Sequence, residues 1–219
     1  MAALIAMPVV GAHADTTVSY CGPSSGMGCE TGGEAMIFLN KAMDVTAGTG
    51  NIGKAASPLL QITSLGGTAI NMFINLADGF ATIDPTQPAT AYAGLTFSLP
   101  SGFFFTDLVF DAQLTGTTFV TSCTASSGTC TPSPHTFTAS GPNSDEEYSI
   151  TATSGLMSSV TIDASASGGF EETKHFELSG LCQMGASGCG LIPTPEPSTL
   201  VVLGAGLIGL GVYRTLRKG

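Results

Sequence analysis

The stretch that decides the fold is Leu95-Thr96-Phe97-Ser98-Leu99-Pro100-Ser101-Gly102-Phe103-Phe104-Phe105-Thr106-Asp107-Leu108-Val109-Phe110-Asp111-Ala112-Gln113-Leu114. Successive side chains of a strand point to opposite faces. Leu95, Phe97 and Leu99 therefore share one face, and Thr96 and Ser98 the other. Pro100-Ser101-Gly102 supplies a turn, after which Phe104, Leu108, Phe110, Ala112 and Leu114 line one face of a longer strand. The same period of two recurs outward along the chain. Ile70, Met72, Ile74 and Leu76 alternate with Asn71 and Asn75. Tyr148, Ile150 and Ala152 oppose Ser149, Thr151 and Thr153, and Val160, Ile162 and Ala164 oppose Thr161, Asp163 and Ser165. Phe176 and Leu178 close the series. Roughly eight to ten short strands separated by turn residues predict an all-β domain, an antiparallel β-sandwich or jelly roll. Ala35 to Val45 fits either a strand at Met36 to Leu39 or a short helix with Met36, Leu39 and Met43 on one face.

A different pattern ends the chain. Pro195-Glu196-Pro197 is held extended by its two prolines. It precedes an uncharged apolar run from Leu200 to Tyr213 and then Arg214, Arg217 and Lys218. At about 1.5 Å per residue, a helix from Thr199 to Tyr213 would span about 22 Å, short of the roughly 20 apolar residues of a comfortable membrane helix. The basic residues after it fit the rule that positive charge stays cytoplasmic. Gly204-Ala205-Gly206-Leu207-Ile208-Gly209 mimics a dinucleotide-binding fingerprint, but only ten residues follow, too few for the helix, second strand and acidic residue the fingerprint needs. The glycines read instead as small residues of a membrane helix. The triplet, the single hydrophobic helix and the basic end, in that order over Thr194 to Gly219, resemble the PEP-CTERM sorting signal of Gram-negative bacteria that make exopolysaccharide. The resemblance implies processing by an exosortase, a membrane protease-transpeptidase, with Pro195, Glu196 and Pro197 as the recognition element. It also implies a temporary inner-membrane anchor, then delivery to the cell surface or extracellular matrix.

The amino terminus agrees with export. Ala2 to Gly11 has the length of a signal-peptide apolar region, and Ala12-His13-Ala14 gives the small-x-small pattern of a cleavage site between Ala14 and Asp15. No lysine or arginine precedes the run, so either the region before it is atypical or the true start lies upstream. The expected organisation is a signal peptide at 1–14, a β-sandwich ectodomain at 15–189, a linker with the Pro-Glu-Pro triplet at 190–199, a transmembrane helix at 200–213 and a basic cytoplasmic tail at 214–219.

Charge and cysteine usage point the same way. Three of the six basic residues are in the tail, leaving Lys41, Lys54 and Lys174 against fifteen acids, a net charge of −12 before the triplet. Such a surface repels phosphate backbones, which excludes nucleic acid as a partner. The six cysteines form three local couples, Cys21 with Cys29, Cys123 with Cys130 and Cys182 with Cys189, each enclosing a loop rich in small residues. In an oxidising compartment this is a disulfide framework, although six cysteines permit 15 connectivities. Zinc is the weaker reading, because cysteine ligands to zinc usually lie two to four residues apart.

Catalytic motifs are absent. There is no HExxH, no GxSxG elbow and no phosphate loop apart from the mimic. His135, in a proline-flanked loop, and His175, on a predicted strand, read as surface residues. Asp145-Glu146-Glu147 and Glu171-Glu172 read as solvated loop carboxylates, with a calcium site as the second reading. A sugar platform would need exposed aromatic rings. The chain has no tryptophan, and Phe103-Phe104-Phe105, Tyr92 and Tyr148 are the remaining candidates, with burial of the three phenylalanines the expected outcome. No cofactor and no resident metal is expected. The sequence thus describes an exported, noncatalytic surface or matrix protein with exopolysaccharide as a candidate ligand. Its rival is a secreted hydrolase with an unrecognised active site.

Overall fold

The computed structural model describes residues 16–23, 29, 34–53, 58–75, 80–125, 128–129, 135–139, 141, 145–152 and 155–184. The chain divides into two units, Met1–Ala186 and Ser187–Gly219, and every described residue lies in the first. The expected signal peptide, the linker, the hydrophobic helix and the basic tail lie outside the described residues. Among the described residues no helix is long and apolar enough to cross a membrane.

The fold is mostly antiparallel β-sheet. In chain order the strands are β1 (Thr16–Pro23), β2 (Ala35–Leu39), β3 (Ala42–Val45), β4 (Ala47–Ile52), β5 (Leu59–Ser64), β6 (Ile70–Ile74), β7 (Ala81–Pro85), β8 (Gly94–Ser98) and β9 (Phe103–Phe104). They continue as β10 (Asp107–Leu114), β11 (Thr118–Ala125), β12 (Gly128–Thr129), β13 (His135–Thr138), β14 (Asp145–Ala152), β15 (Met157–Asp163), β16 (Phe170–Ser179) and β17 (Cys182–Gln183). Single 3-10 turns fall at Leu65–Gly67 and Ser165–Ser167. These strands outnumber the eight to ten that alternation alone suggests. The ambiguous opening stretch resolves into two strands, β2 and β3. The long strand expected from Phe104 to Leu114 is broken: Phe104 belongs to β9, paired with β17 through Cys182, whereas β10 begins at Asp107.

One pairing path runs β1-β14-β10-β16-β2-β4-β5-β8-β15-β11-β12, with β13 beside β11, and β7, β6 and β3 extending from β16. β2 is the corner. Ala35 and Met36 pair with Leu178 and Glu177 of β16, while Ile37, Phe38 and Leu39 pair with β4. A strand that changes partners along its length lets a sheet turn back on itself. The far half of β16 takes β7 instead, Thr173 opposite Ile83 and Lys174 opposite Thr82. Between the two partners His175 adopts a left-handed φ of 52°, a conformation uncommon outside glycine that locally re-aims the strand.

The two arms meet through their apolar faces. Leu108, Phe110, Ala112 and Leu114 of β10 and Tyr148 and Ile150 of β14 lie in one core with Leu95 and Phe97 of β8 and Val160 and Ile162 of β15. Rings bridge the arms: Phe97 to Phe176 at 5.4 Å, Phe119 to Tyr148 at 5.0 Å edge-on, and Phe119 to Phe170 at 5.9 Å. Such aromatic pairs contribute about 0.5–1.5 kcal/mol each beyond the area they bury. Tyr92 is fully buried, its hydroxyl 2.6 Å from Thr173 Oγ1, and burial pushes its phenol well above the usual range.

Candidate functional site

Alternation that turns Leu108, Phe110 and Ala112 into the core turns Asp107, Val109, Asp111 and Gln113 to the opposite face of the strand, where the first three are themselves buried. Register then assembles a polar face across neighbouring strands. Asp111 lies opposite Glu147 of β14 and Lys174 of β16, and Gln113 lies opposite Asp145 and Glu172. Since Lys174 in turn faces Thr82, Asp84 of β7 comes beside Glu172.

Lys174 is the hub. Its Nζ lies 2.7 Å from Asp145 Oδ2 and 3.2 Å from Glu172 Oε1. Burial alone would lower its pKa, but the hydrogen bond and charge of Asp145, with those of Glu172, hold the ammonium above its ordinary value. Asp84 is pushed from 3.8 up to about 6, first by burial and then by the negative charge of Glu172, against a smaller pull from Lys174.

Beside this hub, His175 sits between two acids. Its Nδ1 is 3.6 Å from Asp111 Oδ2 and its Nε2 3.4 Å from Glu177 Oε1, and its ring lies 4.1 Å from that of Phe80. Asp111 is 2% exposed, and its other oxygen, Oδ1, is buried without a hydrogen-bond donor. Burial raises the Asp111 pKa, partly offset by the hydrogen bond and charge of His175. A carboxylate thus faces each ring nitrogen of His175.

Further along the same face, Asp107 Oδ1 accepts hydrogen bonds from Ser149 Oγ and Thr151 Oγ1, both at 2.7 Å. Glu147 Oε1 accepts from the Cys29 backbone N–H at 3.4 Å. Glu146 turns the other way and accepts from the Tyr148 hydroxyl at 2.6 Å.

Several expectations are corrected here. Asp145, Glu146 and Glu147 begin strand β14, and Glu146 and Glu147 are buried rather than solvated in a loop. Strand alternation sends the middle acid to the opposite face, so the triplet cannot converge as a calcium cage. Among the described residues no group of three His, Cys, Asp or Glu side chains could hold a metal ion. Glu171 and Glu172 lie within β16. His175 is largely buried, and His135 opens strand β13, opposite Thr121, instead of occupying a loop. The phenylalanines behave as expected, Phe104 and Phe105 buried and Phe103 packed on the core, and Tyr92 and Tyr148 are buried as well.

Cys29, Cys123 and Cys182 are each disulfide-bonded, and no described cysteine is free. Cys130, Cys189 and the Cys21 side chain lie outside the described residues. So do Ala14, Asp15, Pro195, Glu196, Pro197, Arg214, Arg217 and Lys218.

The outer face escaped the sequence reading because its members come from β7, β10, β14 and β16. The available signal was the spacing of Asp107 and Asp111, which places two acids on the face opposite Leu108, Phe110 and Ala112.

Comparison with known proteins bears mainly on the carboxyl end. Residues 193–218 match the PEP-CTERM protein-sorting motif. The motif implies export, processing by an exosortase and sorting to the cell surface. No curated protein matches the chain. Among solved structures, the enzymatically active domain of bacteriophage CBA120 tailspike protein 4 is 15% identical over 67% of this chain, with a TM-score of 0.29. This chain covers 19% of that protein, about a fifth of its length. A mutant of a family 29 carbohydrate-binding module is 10% identical over 74% of this chain and 91% of its own, with a TM-score of 0.27. At these scores neither likeness assigns a fold family or a ligand.

Proposed function

We propose that the chain is a noncatalytic surface or matrix protein that associates with extracellular polysaccharide. In this reading residues 15–189 form an antiparallel β-sandwich with local disulfides Cys21–Cys29, Cys123–Cys130 and Cys182–Cys189. A membrane helix at 200–213 anchors it until exosortase acts. The sorting motif at 193–218 is the observation that carries the reading. Supporting it, the outward polar face offers carboxylates, a carboxamide and an ammonium at strand spacing, groups suited to hydrogen-bonding a polyol. A second reading, a secreted hydrolase, draws on Asp84, whose carboxyl is raised to about 6 by burial and by the charge of Glu172, as a general acid requires.

Two measurements test the proposal. Replacing Pro195, Glu196 and Pro197 together with alanine is expected to leave an unprocessed, membrane-retained chain in an exosortase-bearing host. Unchanged apparent mass and surface yield would refute the sorting role. The exported protein is expected to bind glycan saturably without releasing reducing ends, whereas product formation would establish the hydrolase.

A further inference from the structure

His175 stands where β16 changes partner. Thr173 and Lys174 pair with Ile83 and Thr82 of β7, while Glu177 and Leu178 pair with Met36 and Ala35 of β2. Along the other edge of β16, Lys174 lies opposite Asp111 and Glu177 opposite Val109, so β16 carries one residue more than β10 over this interval. Such a bulge re-aims a side chain. The left-handed φ of 52° at His175 is a conformation that a non-glycine residue keeps where its surroundings over-determine it. Those surroundings are charged. Asp111 Oδ2 lies 3.6 Å from Nδ1 and Glu177 Oε1 3.4 Å from Nε2, and both carboxylates are buried. The Phe80 ring, directly before β7, lies 4.1 Å from the imidazole.

We propose that His175 is a pH-operated latch: charged, its ring ties Asp111 of β10 to Glu177 across the bulge and keeps β7 seated on β16, and neutral, it releases that tie. A charged imidazole donates from both nitrogens, whereas a neutral one has a single N–H and turns a lone pair toward the other carboxylate. Neighbouring charge sharpens the difference. Among the described residues, β14 contributes Glu147, opposite Asp111 in register, and Asp145; β16 adds Glu172 and Lys174; β7 adds Asp84; β2 faces Glu177 with Met36 and adds no charge. Lys174 lies against Asp145 and Glu172, so the cation between Asp111 and Glu177 is His175. An opposite charge within about 4–6 Å favours the charged form of a histidine, and here two lie closer than that. The stabilisation is therefore complete below the pH at which an unfolded histidine ionises and is lost as pH rises through the folded value. Thr82 and Ile83 of β7 pair with the two residues directly before the latch, so β7 is the strand that its release loosens first.

The test is thermal melting of the full chain against pH, with and without His175→Asn, both carrying Asp84→Asn so that this carboxyl does not titrate. Asparagine tolerates the left-handed conformation and has no titratable group. The His175→Asn chain should melt about 2–4 °C below its parent near about pH 6 and together with it near about pH 9. Hydrogen exchange of the peptide covering β7, expressed as protection relative to the unstructured rate, should show about a tenfold loss of protection between those pH values in the parent and none in the variant. A melting deficit of equal size at both pH values would overturn the proposal, because it would report packing or backbone strain alone. Coincident melting throughout, or a deficit that grows with pH, would overturn it as well. If the variant does not fold, exchange in the parent decides, and β7 protection that stays level across the range sinks the latch.

Discussion

Replacing Asp84 with asparagine should stabilise the protein, and the gain should depend on pH. The unfolded carboxyl ionises near its ordinary 3.8 and the folded one at about 6. Between those values the folded chain keeps a proton that the unfolded chain has released. Stability therefore falls as pH rises through this window, and above it the full cost is present. At about 1.4 kcal/mol per pH unit, undiminished coupling would amount to roughly 3 kcal/mol. Asp84 is only about half buried, and solvent screening reduces the working figure to about 1 kcal/mol. Asparagine keeps the shape and removes the charge. Near neutral pH the variant should melt about 2–4 °C above the parent, as expected for 1 kcal/mol in a domain of this size. Below about pH 3 the two should coincide, because both side chains are then neutral in either state. Paired thermal melts across this range supply the comparison. Equal stability at neutral pH, or a gain that persists undiminished in acid, would refute the account of an Asp84 carboxylate destabilised by burial and by the charge of Glu172.

Three further outcomes follow from packing and covalent structure. Gly169 has a φ of 103°, and a Cβ there would lie 2.5 Å from the Tyr92 carbonyl oxygen, which accepts the Phe170 N–H; Gly169→Ala should lower stability by about 2–4 kcal/mol in a denaturant melt, from strain and the lost bond together. Phe119 is 1% exposed and touches Phe110, Phe137, Tyr148 and Phe170; Phe119→Ala should cost about 3–5 kcal/mol, and a loss below 1 kcal/mol would contradict its place as the bridge between the arms. Nonreducing peptide mapping of exported protein should find Cys123 joined to Cys130, and a longer-range partner would overturn the local pairing.

Much of the fold was legible wherever large apolar residues alternate with polar ones. The inward sets of β8, β10, β14 and β15 follow directly from Phe97, Phe110, Tyr148 and Ile162. Strands poor in such residues were invisible. β4, Ala-Gly-Thr-Gly-Asn-Ile, carries no alternation of large apolar residues, yet it pairs along its length with β5. Its glycines answer a packing demand: a Cβ at Gly48 would collide with the Met72 side chain, and one at Gly50 would lie 2.7 Å from Ile37 Cγ2. β11 carries only one large apolar residue on its inward side, Phe119, because Thr121 and Cys123 occupy the other two inward positions. The outer polar face depended on register between strands as far apart in sequence as Asp84 and Glu172. Pairing at that range is decided by the whole core, and no local pattern encodes it.

The arrangement separates two demands that compete in small acidic domains. Self-repulsion among carboxylates destabilises a compact state, and here much of it is gathered on one face of a single arm of the sheet. The opposite face of the same strands buries Leu108, Phe110, Tyr148, Phe176 and Leu178 in the aromatic core. Because successive residues of β10 and β16 alternate between these faces, every strand that carries repulsive charge is also anchored by apolar burial one residue away. The cost of the charge then appears as shifted protonation, at Asp84 and Asp111, instead of as an open structure. Substitutions at the partly exposed members of the outward set, Asp84, Asp145 and Glu172, should consequently alter charge with little loss of folded protein, whereas substitutions in the inward set should unfold it. Asp84→Asn and Phe119→Ala sample the two sets, and opposite signs in their melting shifts are the direct expression of that division.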